Sequence, residues 1–172
     1  MSSVERKLYW FAAYTNQEMT IKKRLDGMGV ENYLAMRDEV RETPSGKKHV
    51  RVLLIPHLIF IKTDKVTAYS LVNEQGINVV YLKDLATRHL LVVPDKQMRD
   101  FMFLLDFSDS TVEVINKELK RGDRVRVIKG PLIGLEGELI RIKGHKRVIV
   151  KLEGVVSIAT SYIPGSFLEK IK

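Results

Sequence analysis

The sequence predicts an α+β N-terminal domain followed by a small β-barrel, and three observations carry that prediction. Within residues 1–107, strand-like apolar runs alternate with segments whose apolar residues recur at helical spacing. From Val112 onward the strand-like runs are short and punctuated by glycine, the pattern of a small barrel. Charge divides along the same line. Residues 1–116 hold 16 Lys and Arg against 15 Asp and Glu, whereas residues 117–172 hold 13 against 6. A near-neutral module thus precedes a basic one, and a basic module favours nucleic acid or an acidic protein as its partner.

Leu8 to Tyr14 is apolar and aromatic throughout, as a strand buried on both faces requires. Asn16 is placed to cap a helix whose inner face is Ile21, Leu25 and Met28, at i, i+4 and i+7, with Gly29 as its stop. Residues 31–55 read as a hairpin. Thr43-Pro44-Ser45-Gly46 supplies the turn, and Arg41, Lys47, Lys48, His49 and Arg51 give it a basic tip. Leu58 to Lys62 continues as a strand, Asp64 caps a helix running to Asn73, and Gly76 stops it. Ile77–Leu82 and His89–Val93 read as strands. Pro94 suits the first position of a third helix with Met98, Phe101, Met102 and Leu105 on its apolar face. The N-terminal order is therefore β-α-β-β-α-β-β-α, an antiparallel sheet flanked by helices. Residues 108–111 form a polar linker between domains 1–107 and 112–172. Beyond it, strands are expected at 124–128, 138–142, 147–152 and 155–160.

Composition excludes several functions. An apolar content of 45% is that of a globular chain. With no cysteine, disulfides, thiolate zinc sites and thiol nucleophiles are ruled out. The polar start Met1-Ser-Ser-Val-Glu-Arg-Lys7 is not a signal peptide, and the apolar run Val52–Ile61 is too short to span a membrane. A cytoplasmic location, no membrane association and a monomer are expected. His49, His57, His89 and His145 lack metal-ligand spacing, and no nucleophile-elbow motif occurs. Gly130, Gly134 and Gly137 are not followed by Gly-Lys-Ser/Thr, so they serve sharp turns rather than a phosphate cradle. Neither an enzyme nor a cofactor is expected.

The stretch Gly122-Asp-Arg-Val125-Arg-Val127-Ile-Lys-Gly130-Pro-Leu-Ile-Gly134-Leu-Glu-Gly137 resembles a KOW motif, the signature of small SH3-like barrels in proteins that act on RNA polymerase and ribosomes. Trp10-Phe-Ala-Ala-Tyr14, Glu18-Met-Thr-Ile-Lys-Lys-Arg-Leu25 and Leu54-Ile-Pro-His-Leu-Ile-Phe-Ile61 resemble the first strand, first helix and Phe-Pro-Gly/Asn strand of the NusG family of transcription elongation factors. The segment Ile55-Pro-His-Leu-Ile-Phe60 and the ending Ala159-Thr-Ser-Tyr-Ile-Pro164 are most similar to the specialised UpxY-type antiterminators of Bacteroidetes, which act on polysaccharide gene clusters. Departures exist: His57 stands where the family has Gly or Asn, and Ile55 and Leu58 stand where it has aromatics.

The resemblance implies a transcription antitermination and elongation factor. Its N-terminal domain would hold the clamp helices of RNA polymerase through Tyr9, Trp10, Ile55, Pro56, Leu58 and Phe60 and so suppress pausing. Trp10, Leu58 and Phe60 fit the core equally, since alternate strand positions face inward. Thr67, Tyr69 and Ser70 would touch the opposite side of the polymerase cleft, or form plain helix surface. Lys22, Lys23, Arg24, Lys47 and Lys48 would meet non-template DNA or nascent RNA, or be solvated surface. The KOW domain, with Gly122, Asp123, Val125, Val127, Gly130, Gly134 and Gly137 as its motif, would recruit a ribosomal protein, the Rho terminator or RNA. Its basic coat is Arg124, Arg126, Lys129, Arg141, Lys143, Lys146, Arg147 and Lys151. The alternative is a ribosome- or RNA-binding KOW protein with no affinity for polymerase.

Overall fold

A computed structural model describes residues 6–107, 112–115 and 122–172. The chain divides into two compact units, Met1–Asp95 and Lys96–Lys172. The expected linker, 108–111, lies outside the described residues.

The first unit is an antiparallel sheet with two helices on one face. Its elements are β1 (Tyr9–Tyr14), α1 (Glu18–Gly27), β2 (Glu31–Tyr33), β3 (Met36–Thr43), β4 (Gly46–Leu53), β5 (Leu58–Thr63), α2 (Lys65–Asn73), β6 (Val80–Tyr81) and β7 (Val92–Val93). The strand order is β2-β5-β1-β6, with β7 also paired to β1. β1 takes the middle because its four inner residues, Trp10 to Ala13, are all buried, and only a central strand has both faces covered. Ala13, Ile59 and Ile61 meet Ile21 and Leu25 of α1 and Leu71 of α2 in one core cluster. Ala68 of α2 packs on Phe11 and Leu90.

α1 starts later than the sequence suggests. Gln17, not Asn16, holds the N-cap position and makes no side-chain cap. The Thr15 hydroxyl instead accepts from the Gln17 backbone N–H at 3.1 Å. α2 begins as its sequence dictates: Asp64 accepts from the Thr67 N–H at 2.9 Å and from the Thr67 hydroxyl at 2.7 Å. Those two hydrogen bonds, the side-chain one first, hold the Asp64 carboxyl below its usual range. The expected hairpin is split. Leu34 and Ala35 turn into the interior, so β2 joins the main sheet while β3 and β4 form a separate two-stranded ribbon closed at Thr43 and Gly46.

α3 (Asp95–Phe107) begins after Pro94 rather than with it, and all of it but Asp95 belongs to the second unit. Met98, Phe101 and Leu104 are its buried apolar residues, so the inner face runs through Leu104 and leaves Met102 and Leu105 half-buried. Six strands follow: β8 (Glu113–Ile115), β9 (Arg124–Val127), β10 (Glu136–Ile142), β11 (His145–Leu152), β12 (Val156–Ala159) and, after a 3-10 turn at Gly165–Phe167, β13 (Leu168–Lys170). They form one antiparallel sheet in the order β13-β9-β10-β11-β12-β8. The barrel expected from the sequence is therefore an open path among the described pairings, with β13 and β8 at its ends. Val125, Val127, Val148, Val150, Leu152 and Ile158 are buried along the strands. Arg126 joins Glu136 at 2.8 Å and Glu169 at 2.9 Å, linking three adjacent strands. The hydrogen bonds from Arg126 hold the Glu136 carboxyl below its usual range.

Candidate functional site

Strand alternation sorts the proposed polymerase-binding residues onto two faces. Trp10, Ala12 and Tyr14 stand opposite Lys62, Phe60 and Leu58 of β5, and Trp10 also stands opposite Val93. This set points away from the cluster shared by α1 and α2. Tyr9 belongs to the other face, where its ring lies 6.1 Å from that of Phe11 and beneath the ammonium groups of Lys7 and Lys65. The structure thus separates Tyr9 from Trp10, Leu58 and Phe60. Those three are buried, at 3%, 4% and 0% exposure.

The exposed apolar residues of the Trp10 face are two that the sequence reading missed, Tyr14 at 55% and Val80 at 68%. They are register partners on β1 and β6, and Leu58 lies directly across from Tyr14 on β5. Ile55 and Pro56, half-buried and exposed respectively, lie in the β4–β5 loop just before Leu58. That loop is fastened to the start of α1. The His57 N–H donates to Glu18 Oε1 at 2.8 Å, the imidazole Nδ1 lies 3.3 Å from the same oxygen, and the Thr15 N–H donates to the His57 carbonyl at 3.1 Å. His57 has a φ of 68°, the left-handed region that glycine and asparagine enter readily. This accounts for the Gly or Asn expected at that place.

On α2, Thr67 is committed to the Asp64 cap, and the Ser70 hydroxyl donates to Glu74 at 3.0 Å. Tyr69 is 52% exposed, and Val66, one turn before it, is exposed beside it. Of the basic trio on α1, Arg24 donates to the carbonyls of Gln75 and Gly76 at 2.7 and 3.0 Å, which ties α1 to the end of α2. Lys22 reaches Asn32 and Asp26. Lys23 alone of the three has no ion pair or hydrogen bond among the described residues. On the ribbon, Lys48 stands opposite Arg41, and Lys47 opposite Glu42, all exposed. Glu39 bridges Arg37 and Arg41 on the Lys48 side.

The KOW-like residues have structural positions. Val125 and Val127 are buried, and Asp123 is exposed with its carbonyl accepting from the Leu139 N–H at 2.8 Å. Gly130 and Gly134 have φ of 91° and 94° in the turn between β9 and β10. Gly122 and Gly137 are needed for a different reason. A Cβ at Gly122 would lie 1.8 Å from the Leu139 carbonyl oxygen, and one at Gly137 would lie 2.3 Å from that of Ile149. Among the described residues no three His, Cys, Asp or Glu side chains gather as metal ligands, and no helix is long and apolar enough to cross a membrane.

Residues 7–102 match the family model described as NusG, transcription termination factor nusG. The chain belongs to the NusG family. Among solved structures it is similar to Thermotoga maritima NusG, with 21% identity over 96% of this chain and 98% of that one and a TM-score of 0.45. It is also similar to the MjSpt4:Spt5 complex, with 15% identity over 96% and 97% of the two chains and a TM-score of 0.22. The comparison with curated proteins gives no match.

Proposed function

We propose that this chain is a transcription elongation and antitermination factor that binds RNA polymerase through its N-terminal domain and a second partner through its C-terminal one. The observation that carries this reading is the family match over residues 7–102. It is supported by the apolar sheet face opposite the helices, where Tyr14 and Val80 expose apolar surface beside Leu58, Ile55 and Pro56. A helical hairpin of the polymerase clamp is the occupant proposed for the exposed Tyr14 and Val80 edge of that face, because apolar side chains there would exclude water from a packed helix. Trp10 and Phe60 then support the floor of that face rather than its surface.

The mechanism needs no chemical step. A factor that binds the closed, pause-free clamp more tightly than the swivelled one shifts the population by the ratio of the two affinities. Val66 and Tyr69, exposed on α2, supply a second apolar contact across the cleft. We propose domains of 1–107 and 112–172, with the first alone sufficient for polymerase binding. The specialised, operon-restricted role rests on the Ile55–Phe60 and Ala159–Pro164 segments.

Tagged full-length chain recovered from a lysate tests the reading. Polymerase subunits are expected with it. Ribosomal RNA and ribosomal proteins without polymerase would favour the ribosome-binding alternative instead.

A further inference from the structure

We infer that the loop 83–89 is a further docking element for RNA polymerase, in which Leu85 enters an apolar pocket rimmed by carboxylates. The inference rests on the proposed function and adds to it a contact outside the sheet face and α2.

The loop interrupts the edge of the N-terminal sheet, where β6 and β7 both pair with β1. The chain leaves β1 after Leu82, whose N–H donates to the Ala12 carbonyl at 2.9 Å, and returns to it at Val92. Lys83 and Leu90 bridge the neck, and the buried Leu82 and Leu90 anchor it. Asp84 organises what lies between. Its Oδ1 accepts from the N–H groups of Ala86 at 2.8 Å and Thr87 at 3.2 Å. Its carbonyl accepts from the Arg88 N–H at 2.7 Å, and its own N–H donates to the His89 carbonyl at 2.8 Å. Arg88 takes a left-handed φ of 62°, which lets the chain turn back.

Leu85, at the tip, is 96% exposed and is the most exposed large apolar side chain among the described residues. An exposed leucine on a loose loop needs no explanation, but this loop is held in one shape. A leucine on a fixed loop gives up little conformational freedom when a pocket covers it, so its burial appears as affinity. Lys83 and Arg88 flank it, both exposed and with no carboxylate partner among the described residues. The carboxylate of the loop, Asp84, is half-buried and occupied by the loop's own backbone. An apolar pocket with an acidic rim is the complement of this surface. A nucleic acid would satisfy the two cations but leave Leu85 in water. Polymerase is the partner inferred because the loop grows from β6, the strand that carries Val80, so a partner seated on Tyr14 and Val80 reaches its base.

Binding of purified core RNA polymerase to the full chain is measured by biolayer interferometry at low and high salt. Leu85→Ser is expected to weaken binding about tenfold, and Leu85→Met to retain it. Lys83→Gln together with Arg88→Gln is expected to weaken binding about fivefold at low salt and less than about twofold at high salt. All three side chains are exposed, so the variants should melt with the wild type. Wild-type affinity in Leu85→Ser would overturn the inference and leave the proposed function standing. Equal losses in Leu85→Met and Leu85→Ser would reject the apolar pocket. A loss in the charge variant that is the same at both salts would reject the acidic rim. A loss seen only when polymerase carries a DNA–RNA scaffold would make nucleic acid the occupant and overturn the inference. If the wild type fails to bind polymerase, the proposed function falls and this contact with it.

Discussion

Replacing Gly137 by alanine tests whether close strand packing requires a glycine at this position of the motif. The added Cβ would stand 2.3 Å from the Ile149 carbonyl oxygen and 2.8 Å from Val148 Cγ1. Carbon and carbonyl oxygen normally approach to about 3.3 Å. β11 must therefore retreat by about 1 Å from β10, beside the paired residues Glu138 and Ile149. Overpacking of this kind costs about 1–3 kcal/mol, and each weakened ladder hydrogen bond adds up to about 1 kcal/mol. The reduced freedom of the unfolded alanine chain offsets about 0.5 kcal/mol. A loss near 3 kcal/mol is expected. Gly144→Ala is the matched control. Its Cβ meets nothing within 4 Å, so only the positive φ of 80° opposes it, at about 1–2 kcal/mol. Urea unfolding followed by circular dichroism gives both numbers. The steric reasoning is refuted if Gly137→Ala is as stable as the wild type or less costly than Gly144→Ala.

Two further outcomes follow from single residues. His57→Gly should change stability by less than about 0.5 kcal/mol, since it relieves the left-handed backbone while losing the Glu18 contact. His57→Val should cost about 1–2 kcal/mol, because a β-branched residue resists a φ of 68°. Equal melting temperatures for the two variants would contradict this. Burial pushes the Tyr81 phenol up to about 12, and its hydroxyl donates to the Ala68 carbonyl at 2.8 Å. The folded state thus favours the neutral phenol. Its contribution is complete below the ordinary value of 10.0 and is lost as pH rises toward 12. The difference in tyrosinate absorbance between wild type and Tyr81→Phe should rise near the upper value; a rise near 10.0 would show an unperturbed group.

Much of the fold was legible in the sequence. Asp64, Gly29, Gly76 and the Thr43–Gly46 turn act locally, through hydrogen bonds or positive φ, so their meaning survives without tertiary context. The three-residue strands β8 and β13 were not legible. They are too short to show alternation and exist because β12 and β9 offer an unpaired edge. Asn16 was a fair cap by type, but the chain starts α1 one residue later. The candidate site was harder to read. β1 is apolar on both faces, so alternation alone did not assign Tyr9 and Trp10 to opposite sides. Nor did it show that Tyr14 and Val80 are exposed while Phe60 is buried. Register and depth decide those questions, and both are tertiary.

Direct binding of purified core RNA polymerase to the wild type and to a Tyr14→Asp, Val80→Asp double variant tests the proposed function most sharply. Both side chains are more than half exposed, so the variant should keep its fold. Covering the exposed part of each is worth about 1 kcal/mol, half of the burial value for a large apolar side chain. Two carboxylates left unpaired in the interface add to that loss. The double variant is expected to bind at least about thirtyfold more weakly, as about 2 kcal/mol requires. Undiminished affinity in a folded double variant would remove this face from the interface, and absence of polymerase binding by the wild type would contradict the proposed function itself.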